Sequence, residues 1–530
     1  MTAPAARPAV NPWVIAVVVT VPTFMEVLDT SVANVAVRYI AGGLSAAETD
    51  SEWVITSYLA SNAIILPVSG WLSNHLGRKR YFILSLAGFT ASSFLCGIAT
   101  SLPELILFRV LQGFSGGGLQ PSTQGVLLDT FPPEKRGPAM SLFGVAVLVA
   151  PILGPTLGGY ITDNYSWRWL FFINIPVGIL AVALCAWLLD DPEYLKRQRA
   201  ELLARPIRFD AVGLGLVAVG IACLEVVLSK GQEWDWLGDP FRRVQVLLAG
   251  VVLGLGGLVW WELRHPAPVV DLRPLADRNF AASSLIVFLT YGVLYGSITS
   301  LPGMLETLLG YDATYAGLVL SPGGLASMAA MPVIGGLLGR GADARRLIIF
   351  GALALAAGCY WFSRLNLDIG PWQVIWPRVV QSVGTGFLFV PLSVAAYVTL
   401  PADRRAAAVG LFALFRNEGG SVGTSVANTL VQRREQFHAL RLGENIDPLN
   451  PAVGDYLGAA QPYFQQLTGD PVGSQVMAWQ VIDTTRLQQA LSLSYFDCFW
   501  AFALLSLLLV PFALLMRRAV AEPGAHVVAE

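Results

Sequence analysis

Long apolar runs separated by short polar segments recur along most of this chain. Each run is about 20 residues long, which is the length that an α-helix needs to cross the hydrocarbon core of a bilayer. The pattern therefore predicts an all-α polytopic membrane protein with about 14 transmembrane helices. The runs lie near residues 13–38, 53–74, 81–100, 104–128, 139–162, 168–189, 209–229, 243–263, 280–304, 315–338, 347–364, 372–399, 407–431 and 493–516.

Composition agrees with a membrane protein and narrows the function. Hydrophobic residues make up 55% of the chain and charged residues 13%, whereas a soluble domain is about 25% charged. The net charge of −2 gives no indication of nucleic-acid binding. The sequence contains no Walker A motif and no G-x-S-x-G motif, so it favours neither ATP-driven transport nor an enzyme, and we expect no cofactor or metal.

Basic residues are concentrated in every second loop between the apolar runs, and the alternate loops carry few of them. Because lysine and arginine are enriched in cytoplasmic loops of membrane proteins, we predict that both chain termini are cytoplasmic. The largest basic clusters are Arg78-Lys79-Arg80, Lys135-Arg136, Arg345-Arg346, Arg404-Arg405 and Arg517-Arg518.

An internal repeat relates the two ends of the chain. The sequence RVLQ at 109–112 recurs as RVVQ at 378–381, and at the same offset Gly154 corresponds to Gly423. A single ungapped offset through two apolar runs indicates two parallel structural repeats. Since both copies are followed by a basic loop, an even number of spans must separate them.

Six spans, an inserted pair and six further spans satisfy this condition. We therefore predict an N-terminal six-helix bundle at 1–190, a linker with two inserted helices at 191–279, and a C-terminal six-helix bundle at 280–530. The polar, glutamine-rich segment 432–492 interrupts the last bundle, and the predicted orientation places it outside. Structureless loops of this length are uncommon unless they are functional, so we expect helices in it.

Ionisable residues within the apolar runs are the main candidates for function, because each costs at least about 2.5–3.5 kcal/mol in the bilayer. Glu26 and Asp29 lie one helical turn apart in the first run. Two carboxylates this close do not both ionise cheaply, so at least one should bind a proton near neutral pH. The alternative is that one of them pairs with an arginine and never titrates. Arg109, in the fourth run, needs such a carboxylate or backbone carbonyls near the first run.

Other polar residues in the apolar runs are expected to line or support a substrate cavity. These are Arg416, Glu418, Asn34, Arg378 and Gln112. Arg416 and Glu418 are two positions apart on one helix, so they should face different partners. For Arg378, a structural role remains equally open. Glu225, in the inserted pair, is expected at the periphery of the protein.

Glycine and proline are concentrated in the stretch GVAVLVAPILGPTLGG at 144–159. Gly154 and Gly158 form a small-xxx-small face that permits close helix packing, and Pro155 and Gly159 flank them. An ordinary tight helix contact would explain this face. The whole stretch, however, resembles the antiporter signature in the fifth helix of major facilitator superfamily exporters.

The segment GWLSNHLGRKR at 70–80 resembles the cytoplasmic loop motif of the same superfamily. Gly70, Gly77 and Arg78 match the motif, but Asn74 stands where the motif usually has aspartate. We expect Asp129 to supply the missing carboxylate. The resemblance implies a gating role for this loop, together with Arg136 of the next basic loop, although a simple positive-inside anchor remains open.

Further motifs make the resemblance more specific. They are LDTSVANVA at 28–36, WRW at 167–169, FFINIP at 171–176 and the R-x-x-x-G-x-x-x-G spacing of Arg109, Gly113 and Gly117. Together with the preceding two motifs, they are similar to the fourteen-span drug:proton antiporter family, in its EmrB-type branch.

The resemblance implies a proton-coupled exporter of amphipathic compounds in the bacterial inner membrane, with Arg109 acting on proton transfer at the first-span carboxylates. It also implies a periplasmic adaptor of the EmrA type and a TolC-like outer-membrane channel, for which 432–492 is the expected dock. Substrates should contact aromatic and methionine side chains, including Met25 and Met304. A dedicated exporter of one metabolite or siderophore, or a proton-coupled importer, remains an alternative.

Overall fold

The computed structural model describes residues 11–204, 210–265, 268–401, 404–447 and 449–518, and within these ranges every regular element is a helix. The all-α prediction is therefore confirmed. Eleven described helices are long and apolar enough to cross a membrane, or twelve if the bent pair Lys135–Pro151 and Thr156–Asn164 forms one span. The count of fourteen spans and the cytoplasmic position of the termini stay predictions.

The described residues 11–204 form ten helices. They are α1 (Pro12–Leu44), α2 (Glu48–Ser51), α3 (Trp53–Leu76), α4 (Arg78–Ile98), α5 (Leu102–Gly116), α6 (Leu119–Thr130), α7 (Pro133–Asn164), α8 (Trp169–Phe172), α9 (Asn174–Leu188) and α10 (Glu193–Leu203).

The part of the chain that the structure describes from residue 210 onwards forms ten more helices and two short 3₁₀ turns, Trp236–Gly238 and Arg273–Ala276. The helices are α11 (Ala211–Lys230), α12 (Arg243–Glu262), α13 (Arg278–Leu309), α14 (Ala313–Gly339), α15 (Ala344–Phe362), α16 (Pro371–Val398), α17 (Arg405–Gly443), α18 (Pro451–Thr468), α19 (Pro471–Leu507) and α20 (Leu509–Leu515).

Two predicted spans are missing from the set of apolar helices. One corresponds to α5 and α6, which are 15 and 12 residues long and are separated by Gly117 and Gly118. The other corresponds to α17, which carries Arg416 and Glu418. Both contain charged or polar residues that face protein rather than lipid, and such residues reduce the apolar character of a helix.

Glycine positions of the repeat mark close helix packing in both parts of the molecule. α1 packs on α7, and α13 packs on α17. A Cβ atom at Gly154 would collide with Ser31 of α1, and one at Gly423 would collide with Gly292 of α13. Only glycine fits where the two backbones approach this closely.

The other glycines of the 144–159 stretch differ in their surroundings. A Cβ atom at Gly158 would lie 3.2 Å from Val32 Cγ1, whereas one at Gly159 would meet nothing within 4 Å. The side chain of Pro155 lies outside the described residues. The close contact along this stretch therefore involves Gly154 and Gly158 on one face of α7.

Beyond the predicted membrane boundary, α17 continues without a break to Gly443, and α19 begins at Pro471. These extensions agree with the helices expected in segment 432–492. An additional helix, α18, packs on α19 and was not predicted from the sequence. Its less exposed apolar positions, Val453, Leu457, Ala460 and Phe464, recur every three or four residues, a helical period that the average hydropathy of the segment does not show.

Candidate functional site

A cavity of about 590 Å³ lies between α1, α3, α7, α11, α13 and α17. It reaches from Glu26 to Val37 and Glu52, near the helix ends opposite the basic loops. Most of its polar lining comes from Glu26, Thr30, Asn34, Tyr58, Asn62, Gln120, Glu225, Tyr291, Tyr295, Arg416, Asn417, Ser421 and Asn428.

On the side of the basic loops, the two parts of the molecule are in contact. A Cβ atom at Gly410 of α17 would lie 2.7 Å from the Leu66 carbonyl oxygen of α3, and one at Gly335 of α14 would lie 3.0 Å from Pro138 Cα of α7. These backbones therefore pack directly against each other. The cavity extends towards the opposite side, where the Glu52 side chain is 46% exposed.

Glu26 faces the cavity from α1. Glu26 is 3% exposed, and its Oε1 accepts a hydrogen bond of 3.0 Å from Asn62 Nδ2. Its Oε2 has no donor in good hydrogen-bond geometry among the described residues, although the Gln120 side chain lies nearby. An ionised carboxylate with an unsatisfied buried oxygen is costly, so this oxygen is a suitable position for a proton.

Asp29 is held in a different environment, away from the residues that line the cavity. Its Oδ2 accepts from Arg109 Nη1 at 2.6 Å, and its Oδ1 accepts from Gln112 Nε2 at 3.1 Å and Asn174 Nδ2 at 2.7 Å. Both oxygens are therefore satisfied. The alternative from the sequence, in which one carboxylate pairs with an arginine, describes Asp29 in this structure.

Arg109 is completely buried. Its Nε donates to the Val54 carbonyl oxygen at 3.1 Å, and its guanidinium carbon lies 4.1 Å from the ring centroid of Tyr58. Gln112 accepts from Arg109 Nη1 at 2.9 Å. Backbone, aromatic and carboxylate partners thus together compensate for burial of this cation.

Helix geometry explains why two neighbouring carboxylates separate. Residues three apart on an α-helix project about 60° from each other, so Glu26 and Asp29 point into adjacent grooves around α1. One groove is the cavity and the other is filled by α5 and α9.

The other residues predicted for the cavity also form two groups, those that line the cavity and those that lie outside it. Asn34 and Arg416 line the cavity, and Arg416 Nη2 donates to Gln120 Oε1. Glu418 is buried but is turned away from the cavity towards α11. Arg378 is also buried, and its Nη1 donates to Gln381 Oε1 at 2.7 Å outside the cavity.

The expectation that Glu225 lies at the periphery is wrong. This residue is 2% exposed, lines the cavity and accepts a hydrogen bond of 2.9 Å from Ser421 Oγ of α17. α11 therefore packs against both α3 and α17 instead of lying only in lipid. The high cost of a glutamate in an apolar run was the signal that could have indicated this position.

The cavity has the expected aromatic lining, but among the described residues that line it there is no tryptophan, phenylalanine or methionine, which were also expected. The aromatic side chains on the cavity are Tyr58, Tyr291 and Tyr295. Met25 and Met304 are buried in the helix packing and do not line it. Tyrosines supply apolar ring faces together with hydroxyl groups, which suits amphipathic molecules.

The basic loop after α3 forms a second polar cluster. Arg78 Nη1 forms an ion pair with Asp129 and donates to the Gly125 carbonyl oxygen at 2.9 Å. Gly70 lines the same small pocket, and Gly77 has a φ of +89°, a conformation that favours glycine. The carboxylate that Arg78 binds is thus the one expected to replace the missing aspartate.

Arg136 lies close to this cluster. Its Nε donates to the Leu128 carbonyl oxygen at 3.2 Å, one residue before Asp129. The start of α7 is therefore tied to the end of α6, beside the pair formed by Arg78.

Comparison with known proteins places this geometry in a family. The profile described as Major Facilitator Superfamily matches residues 21–424. The chain is 36% identical over 501 residues to the multidrug export protein EmrB of Escherichia coli, covering 94% of each chain. It is 38% identical over 496 residues to the fatty acid resistance protein FarB of Neisseria gonorrhoeae, covering 93% of this chain and 94% of the relative.

Solved structures with low sequence identity have the same fold. The proton:xylose symporter XylE aligns with a TM-score of 0.58 at 14% identity over 94% of each chain. The human organic anion transporter MFSD10 aligns with a TM-score of 0.58 at 14% identity, covering 96% of this chain and all of the other (100%).

Proposed function

Because the chain belongs to the major facilitator superfamily, in the EmrB group of multi-pass membrane transporters, we propose that it exports amphipathic small molecules in exchange for protons. The observation that carries the proposal is Glu26, a buried carboxyl group on the central cavity with one oxygen that lacks a donor in good geometry among the described residues. The names of the relatives EmrB and FarB support export of toxic amphipathic compounds.

The transport cycle is alternating access between two six-helix units, 1–190 and 280–530, with the inserted pair in 191–279. When the cavity faces outwards, Glu26 binds a proton and the substrate leaves. After the units rearrange, Glu26 releases the proton to the cytoplasm and a new substrate enters. Because a proton and a substrate compete for the same cavity, each excludes the other.

Asp29 and Arg109 act as positioning residues in this cycle. Their ion pair fixes α1 against α5 beside the cavity and so holds Glu26, one turn earlier on α1, at the cavity wall. The short Asp29–Arg109 contact and the amides of Gln112 and Asn174 keep the Asp29 carboxylate in place.

The energy available is sufficient for ordinary efflux. One elementary charge moved through 100 mV supplies about 2.3 kcal/mol. Since about 1.4 kcal/mol corresponds to a tenfold ratio, one proton supports a gradient of roughly 50-fold. No second energy source is needed.

Gating involves the basic-side cluster and the glycine contact between α1 and α7. The Arg78–Asp129 ion pair, with Gly70, Gly77 and Arg136 around it, holds the inner ends of the helices together when the cavity faces outwards. The stretch of Gly154, Pro155, Gly158 and Gly159 lets α7 slide along α1 during the rearrangement.

The proposed location is the bacterial inner membrane, with an EmrA-type adaptor and a TolC-like channel as partners and lipid around the helices. The outer extensions of α17 and α19 and the helix α18 form the proposed dock. Their exposed apolar residues support this assignment, and they include Leu440, Tyr463, Leu467, Val472 and Val476. If deletion of 450–480 leaves adaptor co-purification unchanged, this dock is wrong.

The central test uses Glu26→Gln in proteoliposomes with an imposed pH gradient and ethidium as a fluorescent cationic substrate. We expect exchange to fall at least about tenfold, equivalent to about 1.4 kcal/mol. Glu435→Gln, on the outer extension of α17, is the matched control and should retain activity. Proton-driven exchange that survives in Glu26→Gln would refute the assignment.

A second candidate is a dedicated exporter of one endogenous amphipathic anion. Arg416 on the cavity wall and the similarity to FarB favour it. Competition assays separate the two functions. A multidrug exporter is inhibited by chemically unrelated compounds, whereas a dedicated one responds to a single chemical class.

A further inference from the structure

Glu225 of α11 and Glu418 of α17 bring two buried carboxyl groups together beside the cavity, at 2% and 6% exposure. The two side chains are neighbours across the contact between α11 and α17, and Ser421 of α17, one helical turn from Glu418, donates to Glu225 Oε1 at 2.9 Å. Neither Glu418 oxygen has a donor in good geometry in the described part of the chain. The nearest polar neighbours of Glu418 are the Glu225 carboxyl group and the Asn417 amide.

Two carboxylates cannot hydrogen-bond to each other, because an ionised carboxyl group is only an acceptor. The contact requires one donor, and the simplest donor is a proton on one of the four oxygens. We propose that Glu225 and Glu418 form a second proton-binding site, in which one proton is shared between the inserted helix α11 and the helix α17. The proposal rests on proton-coupled transport and extends it to a site distinct from Glu26.

A metal ion fits this site less well. No group of three or more histidine, cysteine, aspartate or glutamate side chains that could hold a metal ion occurs among the described residues. The pair offers two carboxyl groups, and the other hydrogen-bonding neighbour of Glu225 is the Ser421 hydroxyl group, which donates to it. A donor beside the carboxylate suits a shared proton better than a cation.

The charged and titratable groups on the surrounding helices either lie on the cavity or already have partners. Arg416 precedes Glu418 by two positions and points into the cavity. α12 contributes no charge at this level, since Gly250 packs against Cys223. On α19, Asp497 is already bound to Arg434 and His438. The remaining ionisable groups on the cavity are Glu26 on α1, Glu52 and Tyr58 at α3, and Tyr291 and Tyr295 on α13.

Loss of the proton would change the packing of two helices. With the proton, the pair carries one negative charge and joins α11 to α17. Without it, two like charges repel at short distance in a medium of low dielectric constant, and the two helices separate on this side of the cavity. The inserted pair would then respond to protons as part of the transport cycle.

The test is infrared difference spectroscopy of the full chain in lipid bilayers, between acidic and alkaline pH, with deuterium exchange to identify carboxylic acid bands. We expect Glu225→Gln and Glu418→Gln each to remove the same band, because the shared proton needs both groups. Glu26→Gln should remove a different band, and Glu435→Gln should leave both of these bands in place. Size-exclusion profiles identify any variant that does not fold. In that case Glu225→Asp or Glu418→Asp is measured instead, and we expect the band of the shared proton to shift in frequency.

Two outcomes would overturn the proposal. A band lost only in Glu418→Gln would indicate a lone protonated glutamate, and bands unchanged in both variants would indicate that the pair binds no proton. Either result leaves the exchange assay on Glu26 unaffected. The converse result is proton-driven exchange that does not change in Glu26→Gln while the shared band is lost in both Glu225→Gln and Glu418→Gln. That result would refute the role of Glu26 in transport and retain the second site.

Discussion

The two copies of the R-x-x-Q motif share a sequence but differ in their partners. In α5, Arg109 and Gln112 both bind Asp29. In α16, Arg378 donates to Gln381, and Gln381 Nε2 donates to Ser297 Oγ at 2.8 Å. No carboxylate pairs with Arg378 among the residues that the structure describes, and its Nε has no acceptor there.

Similar secondary contacts make this difference sharper. A cysteine of the neighbouring helix touches each glutamine, Cys96 donating to Gln112 Oε1 at 3.5 Å and Cys359 lying 3.3 Å from Gln381 Nε2. The repeat thus preserves the arginine, the glutamine and their packing. It does not preserve the acid, so the charge pair belongs to the first unit alone, and this asymmetry is what the proposed mechanism requires.

The largest effect is expected from removing the cation of the first motif, and removing the cation of the second motif provides the comparison. Arg109→Gln leaves Asp29 buried and unpaired, which costs about 3–5 kcal/mol of stability. Arg378→Gln removes a cation that has no acid partner in the described chain, so its cost should be much smaller. Unfolding in detergent measures both, and equal losses would contradict the comparison.

A double-mutant cycle tests whether the stability effect comes from the pair. Asp29→Asn with Arg109→Gln should recover part of the loss of each single variant, because no unpaired charge remains. Coupling energies of about 0.5–3 kcal/mol are usual for residues in contact. Additive single effects would show that the two residues do not interact in the folded chain.

The two equivalent glycine contacts test whether an added methyl group destabilises both six-helix units equally. Gly154→Ala and Gly423→Ala each place a methyl group against a facing helix, at Ser31 and at Gly292. Overpacking of this kind costs about 1–3 kcal/mol, and exchange should slow in both. Gly256→Ala, on the exposed side of α12, is the control, because its Cβ atom would meet nothing within 4 Å. Wild-type stability in Gly154→Ala would contradict the contact.

Adding an acid to the second motif should reduce the difference between the units. Ser297→Asp places a carboxylate beside Gln381, which is bonded to Arg378. We expect a gain of ~1 kcal/mol, the size of one hydrogen bond, seen as a higher melting temperature. Ser297→Asn is the matched control without the charge. A lower melting temperature for Ser297→Asp than for Ser297→Asn would indicate that Arg378 needs no counter-charge.

The smallest effect is expected at an ion pair outside the membrane segments. In the loop before α12, hydrogen bonds from the Arg243 side chain lower the pKa of Asp239 to about 2 from 3.8. Because the folded pKa is depressed, the stabilisation is complete above pH 3.8 and is lost as the pH falls towards about 2. Melting curves of Asp239→Asn should therefore depend less on pH in this range, and an unchanged slope would contradict the assignment.

The sequence alone determined the class of protein and the repeated scaffold. Apolar run length and the cost of buried polar groups decide that helices cross the bilayer, and the common offset of Arg109 and Arg378 shows the repeat. The sequence also identified Glu26, Asp29 and Arg109 as costly residues in apolar runs. These conclusions depend on the identity of residues and their spacing along one helix.

Only the tertiary structure decided which groups meet. Asp29 and Arg109 are 80 positions apart and Glu225 and Ser421 are 196 apart, and hydropathy says nothing about which face of a helix contacts which neighbour. For that reason the sequence placed Glu225 at the periphery. The orientation of α1, set by packing on α7 and α9 and by the ion pair with α5, directs Glu26 to the cavity and Asp29 to its arginine.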